Sequence, residues 1–281
     1  MATAAVDGAS AQGAPTGEKD ATGAAAGAPA LEARHLTLSW DEGEHVVAKD
    51  VCLEVGAGEV VCLVGRSGCG KTTILHALSG LTRPLEGRVL LHGEDVTGRP
   101  GCVSYMLQKD LLLPSKRILD NVCLPLVIAG MPARDARAKA EPLFERFGLR
   151  GTERMWPSEL SGGMRQRAAF LRTYLMGNDV TLLDEPFSAL DALTRADMRS
   201  WYCGMSRELG MASLAITHDV DEAVTMADRI YVLRGDPRSG VPSAIAAEVA
   251  VPRPEGDVSA AEFALTPAFL DCKREVLGLL G

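Results

Sequence analysis

Two clusters of residues in this chain have the types and spacing needed to handle phosphate. The first is GRSGCGKTT, residues 65–73, which follows the apolar run EVVCLV. It fits Gly-x4-Gly-Lys-Thr through Gly65, Gly70, Lys71 and Thr72. Glycine lets a backbone wrap closely and turn its N–H groups inward, so Gly65, Arg66, Ser67, Gly68, Cys69 and Gly70 make a cradle for an anion. A helix opening at Lys71, Thr72 and Thr73 adds unpaired N–H groups and the positive end of its dipole. Lys71 supplies a charge for the β- and γ-phosphates, and Thr72 a hydroxyl for Mg²⁺. The loop points to a nucleoside triphosphate without naming the reaction.

The second cluster is LLDEP, which puts Asp184 and Glu185 at the end of an apolar run. Ligands of parallel sheets gather outside the carboxyl ends of the strands. There Asp184 can hold Mg²⁺ and Glu185 can orient or deprotonate an attacking water. ITHD repeats the pattern and aims His218 at the γ-phosphate. A third stretch, LSGGMRQR, has no nucleophile, base or metal ligand. Ser161, Gly162 and Gly163 open a basic helix there, with Ser161 as N-cap, and that is again an anion site. A second phosphate clamp on a separate helical segment implies use in trans. Two copies would face head to tail, each covering the other's nucleotide.

These groups need a scaffold. EVVCLVG, DVTLLDEP, SLAITHD and RIYVLRG are short, continuously apolar runs, as expected of strands buried on both faces. Helical patterns lie between them, in KTTILHALSGL, ADMRSWYCGMSREL and DVDEAVTMAD. The alternation predicts a mostly parallel sheet with helices on both sides. Between about 109 and 178 the apolar spacing is helical, so a helical insertion interrupts the α/β core. Within it, ARDARAKAEPLFERFGL should run from Pro132 to a C′ glycine at Gly148, with Pro142 kinking or splitting it. Residues 1–30 are Ala, Gly, Thr and Ser with almost no large apolar side chain, and predict a disordered tail. Residues 31–250 form the folded unit and 251–281 a C-terminal extension with a short helix.

Composition sets limits on function. The 281 residues are 47% hydrophobic and 23% charged, with net charge −8. An acidic chain, of pI about 5.2, argues against nucleic acid as the main partner. Seven cysteines without a CxxC pair read as buried thiols in a reducing compartment. No apolar run approaches the roughly 18–20 residues that span a bilayer, and the N-terminus does not read as a signal peptide. The expected location is therefore cytoplasmic, with any membrane contact made through a partner.

In order, GRSGCGKTT, MLQKD, LSGGMRQR, LLDEP, SALD and THD resemble the Walker A, Q-loop, signature, Walker B, D-loop and switch motifs of the ATP-binding subunits of ABC transporters. The resemblance covers about residues 31–250. It implies a RecA-like P-loop NTPase fold with an inserted helical subdomain and a small antiparallel β region near the N-terminus. It implies that the nucleotide is ATP, that Gln108 touches Mg²⁺ or the attacking water, and that Ser161 and Gly163 bind the γ-phosphate of a partner subunit's ATP. Asp191 would cross the dimer interface, Trp40 would stack on adenine, and Glu185 would be the general base.

YMLQKDLLLP, ILDNVCLPLVIAGM and the C-terminal FLDCKREVLGLL resemble importers of the nitrate, sulfonate, taurine and thiamine-precursor type. The implied partners are membrane permease subunits, an extracytoplasmic solute-binding protein and a second ATPase subunit, at the cytoplasmic face of the membrane. Two stretches depart from the family pattern. Ser115 stands after Pro114 where Trp is usual, and FLRTYLMG replaces a run of small residues after the signature. A soluble ABC-type ATPase acting on nucleic acid or the ribosome is the alternative, but this chain has one cassette, no heptads and an acidic pI. A small-molecule kinase or GTPase has no use for LSGGMRQR.

Overall fold

A computed structural model describes residues 28–41, 43–253 and 258–281. The tail expected to lack order lies, up to residue 27, outside the described residues. The strands are β1 (Leu31–Ser39), β2 (Val46–Val55), β3 (Val60–Gly65), β4 (Glu86–Leu91), β5 (Glu94–Asp95), β6 (Ser104–Met106), β7 (Val180–Asp184), β8 (Ala212–Thr217), β9 (Arg229–Asp236) and β10 (Val241–Ala250). The helices are α1 (Lys71–Leu78), α2 (Ile118–Val122), α3 (Leu124–Ile128), α4 (Ala133–Arg146), α5 (Gly162–Tyr174), α6 (Ala192–Leu209), α7 (Val220–Met226), α8 (Ala260–Phe263) and α9 (Pro267–Leu280).

The strands form one sheet in the order β5-β4-β1-β2-β10-β9-β3-β8-β7-β6. Its core, from β9 through β3, β8 and β7 to β6, is parallel throughout. The other wing is mostly antiparallel, with β1 between β2 and β4 and β10 folded back on β9, while β10 meets β2 in parallel. The sheet is therefore mixed, and the parallel part is the part that carries the phosphate loop.

Strand β3 shows why its run is apolar without alternation. Val60, Cys62 and Val64 enter the core shared with α5, α6, α7 and α9. Val61 and Leu63 point the other way, into the core under α1 and the β1–β2 hairpin. Side chains of a strand alternate sides, and here both sides are covered. The β9 strand repeats this, with Ile230 and Val232 on one side and Tyr231 and Leu233 on the other.

The helical insertion follows β6 and returns through α5 to β7. It is joined to the sheet by aromatic packing: Phe170 on α5 lies 5.6 Å from Trp201 and 5.2 Å from Tyr202 on α6, and 5.9 Å from Phe187. Tyr174 and Phe147 extend the same cluster. This accounts for FLRTYLMG, where large side chains fill space between the two parts.

Three expectations need correction. Pro142 does not split the helix, which runs continuously as α4 from Ala133 to Arg146. Pro142 and Ala138 are both exposed, so water can satisfy the carbonyl that proline leaves without its N–H partner. Gly148, by contrast, ends the helix as expected: its φ is +67°, the Leu149 N–H donates to Phe144 and the Gly148 N–H to Glu145. Second, the C-terminal extension exceeds one short helix. Phe269, Cys272 and Val276 on α9 recur at helical spacing and bury one face in the core. Third, all seven cysteines are free thiols but not all are buried: Cys52 is exposed and Cys102 half-buried.

Candidate functional site

The phosphate loop leaves the carboxyl end of β3 and enters α1. Its glycines are required by geometry. Gly70 has φ +97°, and a Cβ there would sit 2.6 Å from Val47 on β2. A Cβ on Gly65 would meet Cys69 Sγ at 2.7 Å and the Leu233 carbonyl at 2.9 Å. Lys71 is only 6% exposed. Its ammonium donates to the carbonyls of Gly65, at 2.8 Å, and Arg66, at 3.2 Å. Among the described residues no carboxylate forms an ion pair with it. A buried cation held only by carbonyls is an unbalanced charge, and a phosphate would neutralise it. Arg66, Ser67 and Thr72 are exposed, Gly68 and Thr73 half-buried, and Cys69 packs inward.

Asp184 ends β7 and is 7% exposed. Burial pushes its carboxyl up from the usual range, while the hydroxyls of Tyr105 and Thr72 hold it down. Tyr105 Oη donates to Asp184 Oδ2 at 3.2 Å, and burial together with that carboxylate raises the phenol in turn. A hydroxyl and a carboxylate converging at a strand end are a donor set suited to Mg²⁺, which prefers oxygen. The next residue, Glu185, has φ +44°, a backbone state rare for a residue with a side chain. Its N–H donates to the Ile216 carbonyl at 3.0 Å, which ties the turn to β8. The turn separates the two carboxylates and sends Glu185 toward other groups. Glu185 Oε1 lies 3.1 Å from His218 Nδ1. Glu185 Oε2 accepts from Gln108 Nε2 at 3.5 Å, and the same amide donates to Ser188 Oγ at 3.2 Å.

Ser161, Gly162 and Gly163 lie at the start of α5, where the Ser161 hydroxyl accepts the Met164 N–H at 3.3 Å. The D-loop and α6 pack against the two glycines: a Cβ on Gly162 would meet Leu190 at 3.2 Å and the Arg165 guanidinium at 3.9 Å, and one on Gly163 would meet Thr194 at 3.1 Å. Among the described residues no hydrogen bond joins them to the phosphate loop. Asp191 caps α6 by accepting from the Thr194 N–H at 3.1 Å, and bonds from Thr194 hold its carboxyl below the usual range. Trp40 is 52% exposed, just beyond β1, on the hairpin whose second strand touches Gly70 through Val47. The structure therefore brings Gln108, Asp184, Glu185 and His218 to one end of the sheet. It leaves the signature serine and glycines on a separate helix.

Sequence reasoning missed three residues. Tyr105 holds Asp184, Ser188 holds Gln108, and the buried Gln166 on α5 donates to the Pro186 carbonyl. Ser188 and Gln166 lie inside SALD and SGGMRQR, so the motifs contained them, but nothing local pointed to their partners. Two arginines on α5 also grip the Q-loop. Arg172 donates to the carbonyls of Asp110 and Leu111, and Arg165 lies 3.4 Å from the Asp110 carboxylate.

The fold and these motifs define a class, the ATP-binding cassettes, and the chain belongs to the ABC transporter family, whose model matches residues 48–188. It is an ATP-binding and ATP-hydrolysing ABC transporter subunit. It is 40% identical over 210 residues to the formylaminopyrimidine import ATP-binding protein of Halalkalibacterium halodurans, covering 75% of this chain and 82% of that one. It is 40% identical over 246 residues to the taurine import ATP-binding protein of Sinorhizobium fredii, covering 86% and 88%. The dimeric structure of a bacterial ABC transporter cassette superposes with a TM-score of 0.66 at 26% identity, over 79% of this chain and 99% of that one. The RecA-like core, the helical insertion and the curled N-terminal β region are common to both folds.

Proposed function

We propose that this subunit powers the import of a small solute of the nitrate, sulfonate, taurine or thiamine-precursor class. Its relatives named for formylaminopyrimidine and taurine import support that reading. The observation that carries the chemistry is the convergence of Gln108 and His218 on Glu185, beside the buried Asp184. In this reading Lys71 and the N–H groups of the 65–73 loop bind the phosphates of ATP, and Trp40 stacks on the base. Thr72, Asp184 and Gln108 hold Mg²⁺, which when bound neutralises phosphate charge. Glu185 takes the proton of the attacking water, and His218 fixes the carboxylate and faces the γ-phosphate. Ser161, Gly162 and Gly163 close on the ATP of a second subunit, whose own signature segment completes the first site, with Asp191 at the shared boundary.

The proposed partners follow from the surface. Among the described residues no helix is long and apolar enough to cross a membrane. Yet Leu107, Leu111, Leu113, Val127 and Ile128, on the Q-loop and α3, are each at least 40% exposed. A cluster of exposed apolar side chains marks a contact surface, and here it suits a permease at the cytoplasmic face of the membrane. Ser115 borders this region, and two residues on Arg117 stacks 3.9 Å from the ring centre of Trp156. Because Arg165 and Arg172 tie the Q-loop to α5, movement of the helical insertion reaches Gln108 and this surface together.

The test is affinity capture of the tagged chain from solubilised host membranes, with co-purifying proteins identified by mass spectrometry. A multi-spanning permease, accompanied by a solute-binding protein whose ligand can be assayed, is the expected result. Recovery only from the soluble fraction with ribosomal or DNA-repair partners would leave the ATPase chemistry standing and overturn the import role.

A further inference from the structure

His218 and Asp191 sit on different loops, and one side chain reaches both neighbourhoods. Arg195, in the first turn of α6, donates from Nη2 to the Leu190 carbonyl of the D-loop at 2.9 Å. Its Nη1 lies 3.6 Å from Asp219 Oδ2, and the two side chains are only 29% and 26% exposed. Asp219 directly follows His218, and its other oxygen caps α7 by accepting the Glu222 N–H at 3.1 Å. A shift of Asp219 therefore carries both the start of α7 and His218 with it.

The surroundings are not fully paired. Arg195 Nε, Arg199 Nε and Glu222 Oε1 are buried and lack hydrogen-bond partners among the described residues. Glu222 is 3% exposed and feels the charges of Asp219, Arg199, Arg195 and Glu185. With two spare donors and one spare acceptor buried in one neighbourhood, a turn of Arg195 or Arg199 to Glu222 would give the network a second arrangement. Two discrete pairings are what a switching element needs.

We propose that Arg195 is a positioning residue that couples the D-loop to His218 through Asp219, and so sets the placement of His218 against Glu185. The D-loop is where the second subunit is expected, so the coupling would report the partner's arrival to the hydrolytic site. The inference rests on the ATPase reading above. It acts on the chemical step and not on nucleotide capture, because among the described residues Arg195 makes no hydrogen bond or ion pair to the phosphate loop or Asp184.

Steady-state phosphate release against ATP concentration should be measured for Arg195→Ala, Arg195→Lys, Asp219→Asn and the double variant Arg195→Ala/Asp219→Asn. Glu185→Gln serves as the reference, and binding of a fluorescent ATP analogue and melting curves are recorded for all. Arg195→Ala should lower kcat by about tenfold while the analogue's Kd stays within about twofold of wild type. Arg195→Lys, which keeps the charge but not the fork of donors, should recover part of the loss. The side-chain amide introduced by Asp219→Asn can still cap α7, so that variant isolates the charge pair. The double variant should be no worse than Arg195→Ala. Unchanged turnover in Arg195→Ala, or losses that multiply in the double variant, would overturn the coupling while an intact Glu185→Gln defect leaves the ATPase assignment standing. A Glu185→Gln variant as active as wild type would overturn that assignment and the coupling with it.

Discussion

The phosphate loop and the signature segment are both helix N-termini that present bare N–H groups, yet they are built differently. Around Gly65–Thr73 the chain supplies everything an anion needs: a buried ammonium, a glycine held at φ +97°, and a neighbouring carboxylate for a metal. Around Ser161–Gly163 it supplies a hydroxyl and a helix dipole, with the Arg165 guanidinium close by but already donating to the Leu160 carbonyl, and with Leu190 and Thr194 packed against the glycines. In the proposed reading the first is a complete site and the second is half of one. A helix end worth about 0.3–1 kcal/mol to an anion is a weak site alone and useful only when something else delivers the phosphate. In the reading proposed above, a single chain holds both halves of an ATP clamp and needs a second copy to use them together.

The largest effect is expected at Glu185, the proposed general base for the reaction that would follow once both halves have closed. Glu185→Gln keeps the turn and its backbone hydrogen bond to Ile216 but cannot take a proton. The rate of ATP hydrolysis should fall by about 10²- to 10⁴-fold with ATP affinity retained. Near-normal phosphate release in a single-turnover assay would refute the base assignment. Next comes Lys71→Ala, which removes the charge from the complete site. A charge-assisted hydrogen bond is worth about 1.5–3 kcal/mol, so ATP should bind about ten- to a hundredfold more weakly in equilibrium titrations. Unaltered binding would sink the reading of the loop.

Ser161→Ala sharpens the contrast because it touches only the half site. Losing the cap costs α5 about 1 kcal/mol of local stability. ATP binding to the dilute chain should be untouched, while hydrolysis at high protein concentration falls. If Ser161→Ala weakens binding in the dilute chain as Lys71→Ala does, the two segments act within one copy and the head-to-tail arrangement is wrong.

How much of this was legible in the sequence depends on how local each feature is. The strands β3, β7 and β8 were visible because burial on both faces leaves an unbroken apolar run. The hairpin wing came only through the family resemblance, because bulges near His35 and Asp50, both at positive φ, break the alternation that marks a strand. The four groups at the sheet end were readable by type and by strand-end position. Their mutual distances were not, because Gln108 and Glu185 are 77 residues apart and meet only through strand order. Tyr105 and Gln166 stayed hidden for the same reason, and Pro142 misled because its exposure could not be read from its neighbours.

The smallest effect lies in Glu222, behind the switch loop. Burial, with Asp219 and Glu185 adding like charge, pushes its carboxyl up from 4.5 to about 8, against the pull of Arg199 and Arg195. Between those two values the folded chain keeps a proton that the unfolded chain has released. By linkage, this group's contribution to stability is full below about pH 4.5 and is lost as pH rises toward 8, after which it stays constant. Other carboxylates with lowered values, such as Glu59 beside Arg229, act in the opposite sense at acid pH, so the test must be a difference. Glu222→Gln is neutral at every pH and lacks this dependence. Its Tm should gain on that of the wild type from about pH 5 to about pH 8 and then hold a steady lead. A gap that stays constant across that range would mean Glu222 is already ionised in the fold and paired with one of its arginines, which would place the network beside His218 in its alternative arrangement.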